Sequence, residues 1–182
     1  TVSMDNYSGG VMAVEHLLNA GRVHIGHISG PLDWWEARER KQAWQDCLAR
    51  VGFSVPEGGW VEGNWSSSSG ETAFDHLLHS YPQMDAVFVG NDQMALAAQR
   101  SAHHHGLRIP EDLAMVGFDN LPESAYFWPA LTTIDQNLHE MGCQVVHELV
   151  DRIEAARGNQ EIAAQSILLT PELVIRESSV LR

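Results

Sequence analysis

The 182-residue sequence predicts an α/β domain built on a doubly wound parallel sheet. Apolar residues at helical spacing alternate along the chain with short strand-like runs, which is the order of repeated strand–helix units. One of these runs, at 85–89, is almost continuously apolar, as expected of a strand covered on both faces. No internal repeat is present, so the alternation describes one sheet rather than an array of repeated modules.

Eight segments are predicted to be strands, because each is a short apolar or β-branched run bounded by turn residues. They are 1–4, 23–29, 60–62, 85–89, 113–118, 132–134, 166–169 and 172–175. Gly30 and Pro31 end the second strand, since proline cannot donate to a strand ladder and glycine permits the turn. A loop that carries two tryptophans follows, and it lies at the carboxyl end of its strand.

Five helices are predicted from apolar residues three or four positions apart. Their stripes are Val11, Val14 and Leu18; Trp44, Cys47, Leu48 and Val51; Phe74, Leu77, Leu78 and Tyr81; Ala95, Leu96, Ala98 and Ala102; and Leu138, Met141, Val145, Leu149 and Ile153. Predicted caps are Asp5 or Asn6, a Ser68–Glu71 capping box, and Asn91 or Asp92. The small residues of the fourth helix indicate either close packing on the sheet or contact with a partner chain. The last helix, at about 137–157, has an apolar face with no remaining partner sheet.

The charge balance restricts the possible partners of the chain. Acidic residues number 24 against 11 basic ones, which gives a net charge of -13. Such a surface repels phosphate groups, so we expect no direct binding to nucleic acid and none to anionic membranes. No apolar run reaches the length of a membrane span. Cys47 and Cys143 lie among apolar neighbours, which predicts buried, reduced thiols in a cytoplasmic protein.

Polar and aromatic residues follow five of the predicted strands. They are Trp34, Glu36 and Arg40; Asn64 and Trp65; Asn91 and Asp92; Asp119 and Asn120; and Asp135 and Gln136. The carboxyl ends of parallel strands meet at one edge of a sheet, so we expect these side chains to line a single crevice. Carboxylates, amides and a guanidinium bind paired hydroxyls, and a tryptophan face packs on the C–H side of a sugar ring. The sequence therefore predicts a sugar-binding cleft.

Each candidate also has a purely structural interpretation. The alternatives are an exposed helix pair for Glu36 and Arg40, packing for Trp65 and Trp35, helix capping for Asn91 and Asp92, and a turn-forming bond for Asp119. Catalytic and metal motifs are weaker still. The three consecutive histidines at 103–105 point in different directions on a helix and cannot easily share one ion. There is no phosphate-binding glycine loop, no Gly-x-Ser-x-Gly elbow and no Cys-x-x-Cys.

Six segments in order along the chain resemble the LacI/GalR family of bacterial transcription regulators. They are His16–Gly21, Ile28–Leu32, Asn91–Leu96, Arg108–Asn120, Pro129–Gln136 and Pro171–Ser178. Each segment alone is weakly specific, but their combination covers nearly the whole chain.

The resemblance implies a periplasmic-binding-protein-like fold of type I, with one subdomain essentially complete and remnants of the other. Residues 1–135 would form the C-terminal subdomain of the effector-binding core, 136–170 a remnant of the N-terminal subdomain, and 171–182 a tail that returns to the first. The DNA-binding module and most of the N-terminal subdomain would lie outside this chain. An isolated chain is therefore expected to bind sugar poorly, and its uncovered last helix is expected to self-associate or to move.

The resemblance also assigns the ligand contacts. It places Trp34, Glu36, Arg40, Trp65, Asn91, Asp119 and Gln136 against the effector. Glu36 stands where the family often has a small hydroxyl residue, and Leu138 where an aromatic residue is frequent. The sequence around Trp34 and Trp35 is similar to regulators of β-galactoside or β-glucoside use.

The implied protein is not an enzyme and has no cofactor or metal ion. A mono- or disaccharide would bind between the subdomains and change the affinity of a homodimer for operator DNA by allostery. The main alternative is a periplasmic sugar-binding protein of a transporter, which shares the fold. A glycoside-cleaving enzyme is a second alternative, since two carboxylates are among the candidates.

Overall fold

The computed structural model describes residues 1–158 and 165–180. The strands are β1 Val2–Met4, β2 Ile25–Ser29, β3 Trp60–Glu62, β4 Ala86–Val89, β5 Ala114–Val116, β6 Thr133–Asp135, β7 Ile167–Leu169 and β8 Glu172–Val174. The helices are α1 Asn6–Asn19, α2 Trp35–Arg50, α3 Ser67–Ser80, α4 Asp92–His104 and α5 Leu138–Arg157, with a short 3-10 helix at Pro122–Tyr126. The predicted alternation of strands and helices is confirmed.

The central sheet has the strand order β3-β2-β4-β5, and every pairing in it is parallel. A parallel bridge from Val116 to Thr132 places the start of the β6 segment beside β5. β8 then pairs antiparallel with β6. Because the chain moves outward in both directions from β2 and β4, the doubly wound arrangement predicted from the sequence is confirmed.

Helices cover both faces of this sheet, which is why β4 is apolar throughout. Ala86 and Phe88 point into a core formed with α1 and α2, whereas Val87 and Val89 point into a second core formed with α3 and α4. This alternation follows from the two-residue period of a strand. Trp44 fills the first core and donates its indole N–H to the carbonyl of Ile25 at 3.1 Å.

The alanines of α4 serve close packing within this chain. Ala95, Ala98 and Ala102 are buried in the second core, against the sheet and α3. The helices approach so closely that a Cβ on Gly70 of α3 would overlap the backbone of Met94. The outward face of α4 remains available, since Leu96 is exposed.

Three elements, β1, β7 and α5, lie outside the central sheet. β1 and β7 form a parallel pair of their own, and α5 packs beside β1. Six apolar side chains of α5 are exposed: Leu138, Val145, Val146, Leu149, Val150 and Ile153. The expected apolar face without a partner is therefore present in the described part of the chain. Residues 159–164 and 181–182 of the predicted second segment and tail lie outside the described residues.

Two local predictions were wrong, the α3 capping box and the burial of Cys143, and one open alternative, the α1 cap, is resolved. Ser66, not the Ser68–Glu71 box, caps α3, because the Ser66 hydroxyl accepts from the Ser69 amide at 3.2 Å. Asp5 rather than Asn6 caps α1. Cys143 is exposed on α5, while Cys47 is buried as expected. No helix within the described ranges combines the length and apolar character that a membrane crossing would require.

Candidate ligand-binding cleft

The carboxyl ends of the central strands enclose an open cleft of about 340 Å³. Eight residues line it: Trp34, Glu36, Arg40, Trp65, Asn91, Gln93, Asp119 and Gln136. The first three follow β2, and the others follow β3, β4, β5 and β6 in turn. The structure thus brings all seven candidate residues to one place, as parallel strand geometry requires.

Arg40 is the buried charge at the base of this cleft. Its side chain is only 5% exposed and lies with its guanidinium carbon 3.6 Å from the centre of the Phe118 ring. Nε and Nη2 both donate to Asn6 Oδ1, at 2.9 and 2.7 Å, and Nη1 donates to the carbonyl of Gly90 at 2.6 Å. Burial lowers the pKa of Arg40 to about 10, with nearby carboxylates acting in the opposite direction. Arg40 therefore remains a cation at neutral pH.

The alternative of an exposed Glu36–Arg40 helix pair is wrong, because Arg40 turns inward. Its acidic neighbour is Asp119, whose Oδ1 lies 3.7 Å from Arg40 Nη1. The half-buried Glu36 carboxylate has no hydrogen-bond partner within residues 1–158 and 165–180 and faces the open cleft. The cleft therefore contains two different carboxylates. The charge of Asp119 is compensated by Arg40, whereas the oxygens of Glu36 are free to accept hydrogen bonds.

The position of the Asp119 carboxylate is set by the backbone conformation of this residue and by its contacts with Arg40 and Gln136. Its φ of 110° lies in a region that non-glycine residues rarely adopt. Gln136 donates to Asp119 Oδ1 at 2.6 Å, which links the β5 and β6 loops. Burial raises the pKa of Asp119, while Arg40 and the Gln136 hydrogen bond act to lower it. The alternative of a turn-forming bond for Asp119 is wrong, because its carboxylate makes these contacts across the cleft instead.

Two tryptophans form an aromatic corner. The Trp34 and Trp65 rings are 6.3 Å apart with an interplanar angle of 76°, and Trp34 is 54% exposed. Trp65 is half-buried and adopts a φ of 71°. It packs directly on Gly30, where any Cβ would overlap the indole ring. The Gly30-Pro31 break that ends β2 therefore also makes room for the cleft wall. Trp35 is 41% exposed and does not line the cleft, which agrees with the expectation that it is not a ligand contact.

Asn91 both caps α4 and lines the cleft. Its Oδ1 accepts from the Met94 amide at 2.9 Å, and its Nδ2 donates to Trp65 O at 3.0 Å and to Gln93 Oε1 at 2.8 Å. A ligand hydroxyl that bonds to this amide must displace Gln93, which is exposed and free to turn. Sequence reasoning missed Gln93. Its position in the first turn of α4, two residues after Asn91, could have identified it.

Four other strand-end residues lie outside the cleft. Asn64 orders the turn before α3 by accepting from the Ser66 amide at 3.1 Å. Asn120 donates to Asp135 at 2.9 Å. Asp92 is fully buried and accepts from Thr133 Oγ1 at 2.6 Å and from the amide of Leu121 at 2.9 Å. Burial raises the pKa of Asp92 to about 6. These residues fix the loops that present the cleft.

The described residues contain no group of three or more His, Cys, Asp or Glu side chains arranged to hold a metal ion. The histidine run is used locally, since His105 Nε2 lies 3.1 Å from Asp75 on α3.

Residues 14–179 match the model of the periplasmic binding protein-like domain family. Among curated relatives, the HTH-type transcriptional repressor PurR of Edwardsiella ictaluri is 36% identical over 172 residues, covering 94% of this chain and 49% of the relative. PurR of Klebsiella pneumoniae is 36% identical over 176 residues, covering 96% and 50%. The chain therefore spans about half the length of the curated relatives it matches.

Solved structures give the same result. A transcriptional regulator CelR–cellobiose complex superimposes with a TM-score of 0.91 and 34% identity, covering 97% of this chain and 53% of that one. The Lac repressor dimer bound to operator and the anti-inducer ONPF gives 0.85 and 31%, covering 99% and 52%. The chain thus belongs to the periplasmic binding protein-like domain family and, within it, to the LacI/GalR transcription regulators.

Proposed function

We propose that this chain is the effector-sensing part of a transcriptional repressor and that its effector is a mono- or disaccharide. The observation that carries the proposal is the cleft itself, where seven side chains from five strand ends converge. We assign ligand contact to Trp34, Glu36, Arg40, Trp65, Asn91, Asp119 and Gln136, with Gln93 as an eighth lining residue.

The chemistry of these side chains suits a carbohydrate. The Glu36 and Asp119 carboxylates accept hydrogen bonds from hydroxyls, and the nearby Arg40 guanidinium donates to a hydroxyl oxygen. Trp65 offers a flat apolar wall for the C–H face of a sugar ring, and the exposed Trp34 stands across from it. A relative was solved with cellobiose, so a β-glucoside is the first ligand to test.

Sensing requires that the sugar bind one conformation of the protein better than another. We propose that the cleft is completed by further protein packed on α5 and on the β1–β7 pair, whose apolar residues are exposed. In this proposal residues 1–135 form the C-terminal subdomain, 136–170 are a remnant of the N-terminal subdomain, and 171–182 are the tail that returns to the C-terminal subdomain. Closure around the sugar would then shift the affinity of a DNA-binding module outside this chain for its operator, in the cytoplasm.

We further propose that the protein acts as a homodimer. Tyr126 and Trp128 are 89% and 93% exposed, and Trp128 borders a groove of about 330 Å³ lined also by Gln99 and His103 of α4. Large exposed aromatic side chains of this kind mark interaction surfaces. The Lac repressor relative was solved as a dimer. Trp128→Ser should therefore shift the sedimentation of the full-length protein from dimer toward monomer. Trp35→Ser, a control at a 41% exposed tryptophan outside this groove, should not.

The alternative of a periplasmic sugar-binding protein is not favoured, because the relatives above are transcription regulators. The same relatives favour regulation over glycoside cleavage.

The sugar proposal is tested by isothermal titration calorimetry on the full-length protein. The panel contains cellobiose, lactose, glucose and galactose, with adenine as a flat aromatic ligand that has no sugar hydroxyls. We expect the wild-type protein to bind at least one sugar saturably and not to bind adenine. Glu36→Gln should lose the sugar binding. Binding of adenine but of no sugar would refute the carbohydrate assignment and leave the fold assignment intact.

A further inference from the structure

Asn6 is buried beneath the candidate cleft and is not one of its lining residues. It is the first residue of α1 and only 2% exposed. It has no capping role, because Asp5 provides the cap of α1. Its side chain instead points toward Arg40 on α2, 34 positions away in sequence.

The two ends of the Asn6 amide bind different parts of the molecule. Oδ1 accepts from both Nε and Nη2 of Arg40, at 2.9 and 2.7 Å. Nδ2 donates to the carbonyl of Met4, the last residue of β1, at 3.2 Å. The adjacent amide of Asp5 donates to Leu169 O, at the end of β7, at 2.9 Å. Asn6 therefore connects a cleft residue to the β1–β7 pair.

The contact with Arg40 fixes the orientation of its planar guanidinium. One edge of that group, formed by Nε and Nη2, is taken up by Asn6, and the ring of Phe118 supports one face. Nη1 is then directed toward Gly90 O and Asp119, which is the side that borders the cleft. A rigid donor fork is effective only when its plane is held. Without Asn6, the buried guanidinium would lose its only side-chain hydrogen-bond acceptor among the described residues.

We propose that Asn6 is a positioning residue that holds Arg40 in its ligand-binding orientation from the end of strand β1. The expected effect of Asn6 on sugar binding rests on the proposed function. Its effect on Arg40 itself does not depend on which ligand the protein binds.

The test compares Asn6→Ala, Asn6→Asp and the matched control Asp5→Ala in the full-length protein. Asp5→Ala removes the neighbouring cap of the same helix, whose carboxylate accepts from Ser8 and not from Arg40. Asn6→Asp keeps an oxygen for Arg40 but loses the amide donor to Met4. We expect Asn6→Ala to weaken binding of the best sugar of the panel by about tenfold or more, as loss of charged hydrogen bonds does. The sugar affinities of Asn6→Asp and Asp5→Ala should both lie within a few-fold of the wild-type value.

A second measurement makes the test independent of the ligand. In the proton–nitrogen spectrum of ¹⁵N-labelled protein, the Arg40 Nε–H should be sharp and slow to exchange in wild type, Asp5→Ala and Asn6→Asp. In Asn6→Ala it should exchange at least tenfold faster. Wild-type sugar affinity together with a still protected Nε–H in Asn6→Ala would overturn the inference. If no sugar binds wild type, the proposed function fails, and the exchange rate alone decides the role of Asn6.

Discussion

Replacing Arg40 with methionine removes the buried charge and keeps an apolar stem of similar shape. Two acceptors, Asn6 Oδ1 and Gly90 O, lose their donors, and Asp119 loses the cation 3.7 Å away. Breaking a buried ion pair costs about 3–5 kcal/mol, and this figure already includes the penalty of the acceptors left without a donor. We therefore expect the free energy of unfolding to fall by about 4 kcal/mol. For a chain of this size the melting temperature should drop by about 8–16 °C.

The loss should also depend on pH. Burial raises the pKa of Asp119 and Arg40 lowers it, so removing Arg40 raises that pKa further. A carboxyl group whose folded-state pKa exceeds its unfolded value destabilises the fold when ionised, and this penalty disappears as the pH falls toward the unfolded pKa of about 4. The Arg40→Met defect should therefore be larger at pH 8 than at pH 5.

Urea unfolding followed by tryptophan fluorescence at both pH values measures these effects. Arg40→Lys is the control, because it keeps the charge but cannot reach Asn6 and Gly90 together. It should lose less stability than Arg40→Met, and the loss should vary less with pH. A loss below about 1 kcal/mol in Arg40→Met, or an equal loss at pH 5 and pH 8, would refute the reasoning.

Three further substitutions test separate features. Gly30→Ala places a methyl group against the Trp65 ring, so it should displace the cleft wall and weaken sugar binding about tenfold in calorimetry, with little change in far-UV circular dichroism. Burial raises the pKa of Asp92 to about 6, so wild type should gain about 2 kcal/mol of stability from this group as the pH falls from 7.5 to 4. Asp92→Asn should flatten that pH dependence in urea titrations, and an unchanged slope would contradict the assignment. On α5, Val146 and Leu149 are each 57% exposed, so glutamate at both positions should make the 182-residue chain sediment closer to a monomer. A wild-type chain that is already monomeric at all concentrations would oppose the last expectation.

The sheet and its cleft edge could be predicted from the sequence because both follow from periodicity. The almost continuously apolar 85–89 run correctly indicated a strand covered on both faces, and its residues Ala86–Val89 form the central strand β4. The polar residues placed just after such strands had to share one edge. That reasoning brought Asp119 and Gln136 together although they are 17 positions apart in sequence.

The remaining details depended on contacts that no local pattern encodes. The spacing of Glu36 and Arg40 fits an exposed helix pair, yet Arg40 turns inward because Asn6 and Gly90 supply acceptors there. The capping-box pattern at Ser68 was outcompeted by a serine two positions earlier. Cys143 lies on an apolar face of α5 that no other described residues cover. It is therefore exposed, although its apolar neighbours in the sequence predicted burial.

Two of the cleft side chains, Trp65 and Asp119, sit on backbone with positive φ. Holding a non-glycine residue in such a conformation costs about 1 kcal/mol or more at each position. Glycine at either position would relax the main chain and at the same time delete an indole or a carboxylate from the cleft. Each deletion would cost more than the strain it relieves, because the indole packs on Gly30 and the carboxylate compensates buried Arg40. A directed-evolution campaign that rewarded thermal robustness alone would therefore retain both residues, since the same side chains maintain the fold and the cleft.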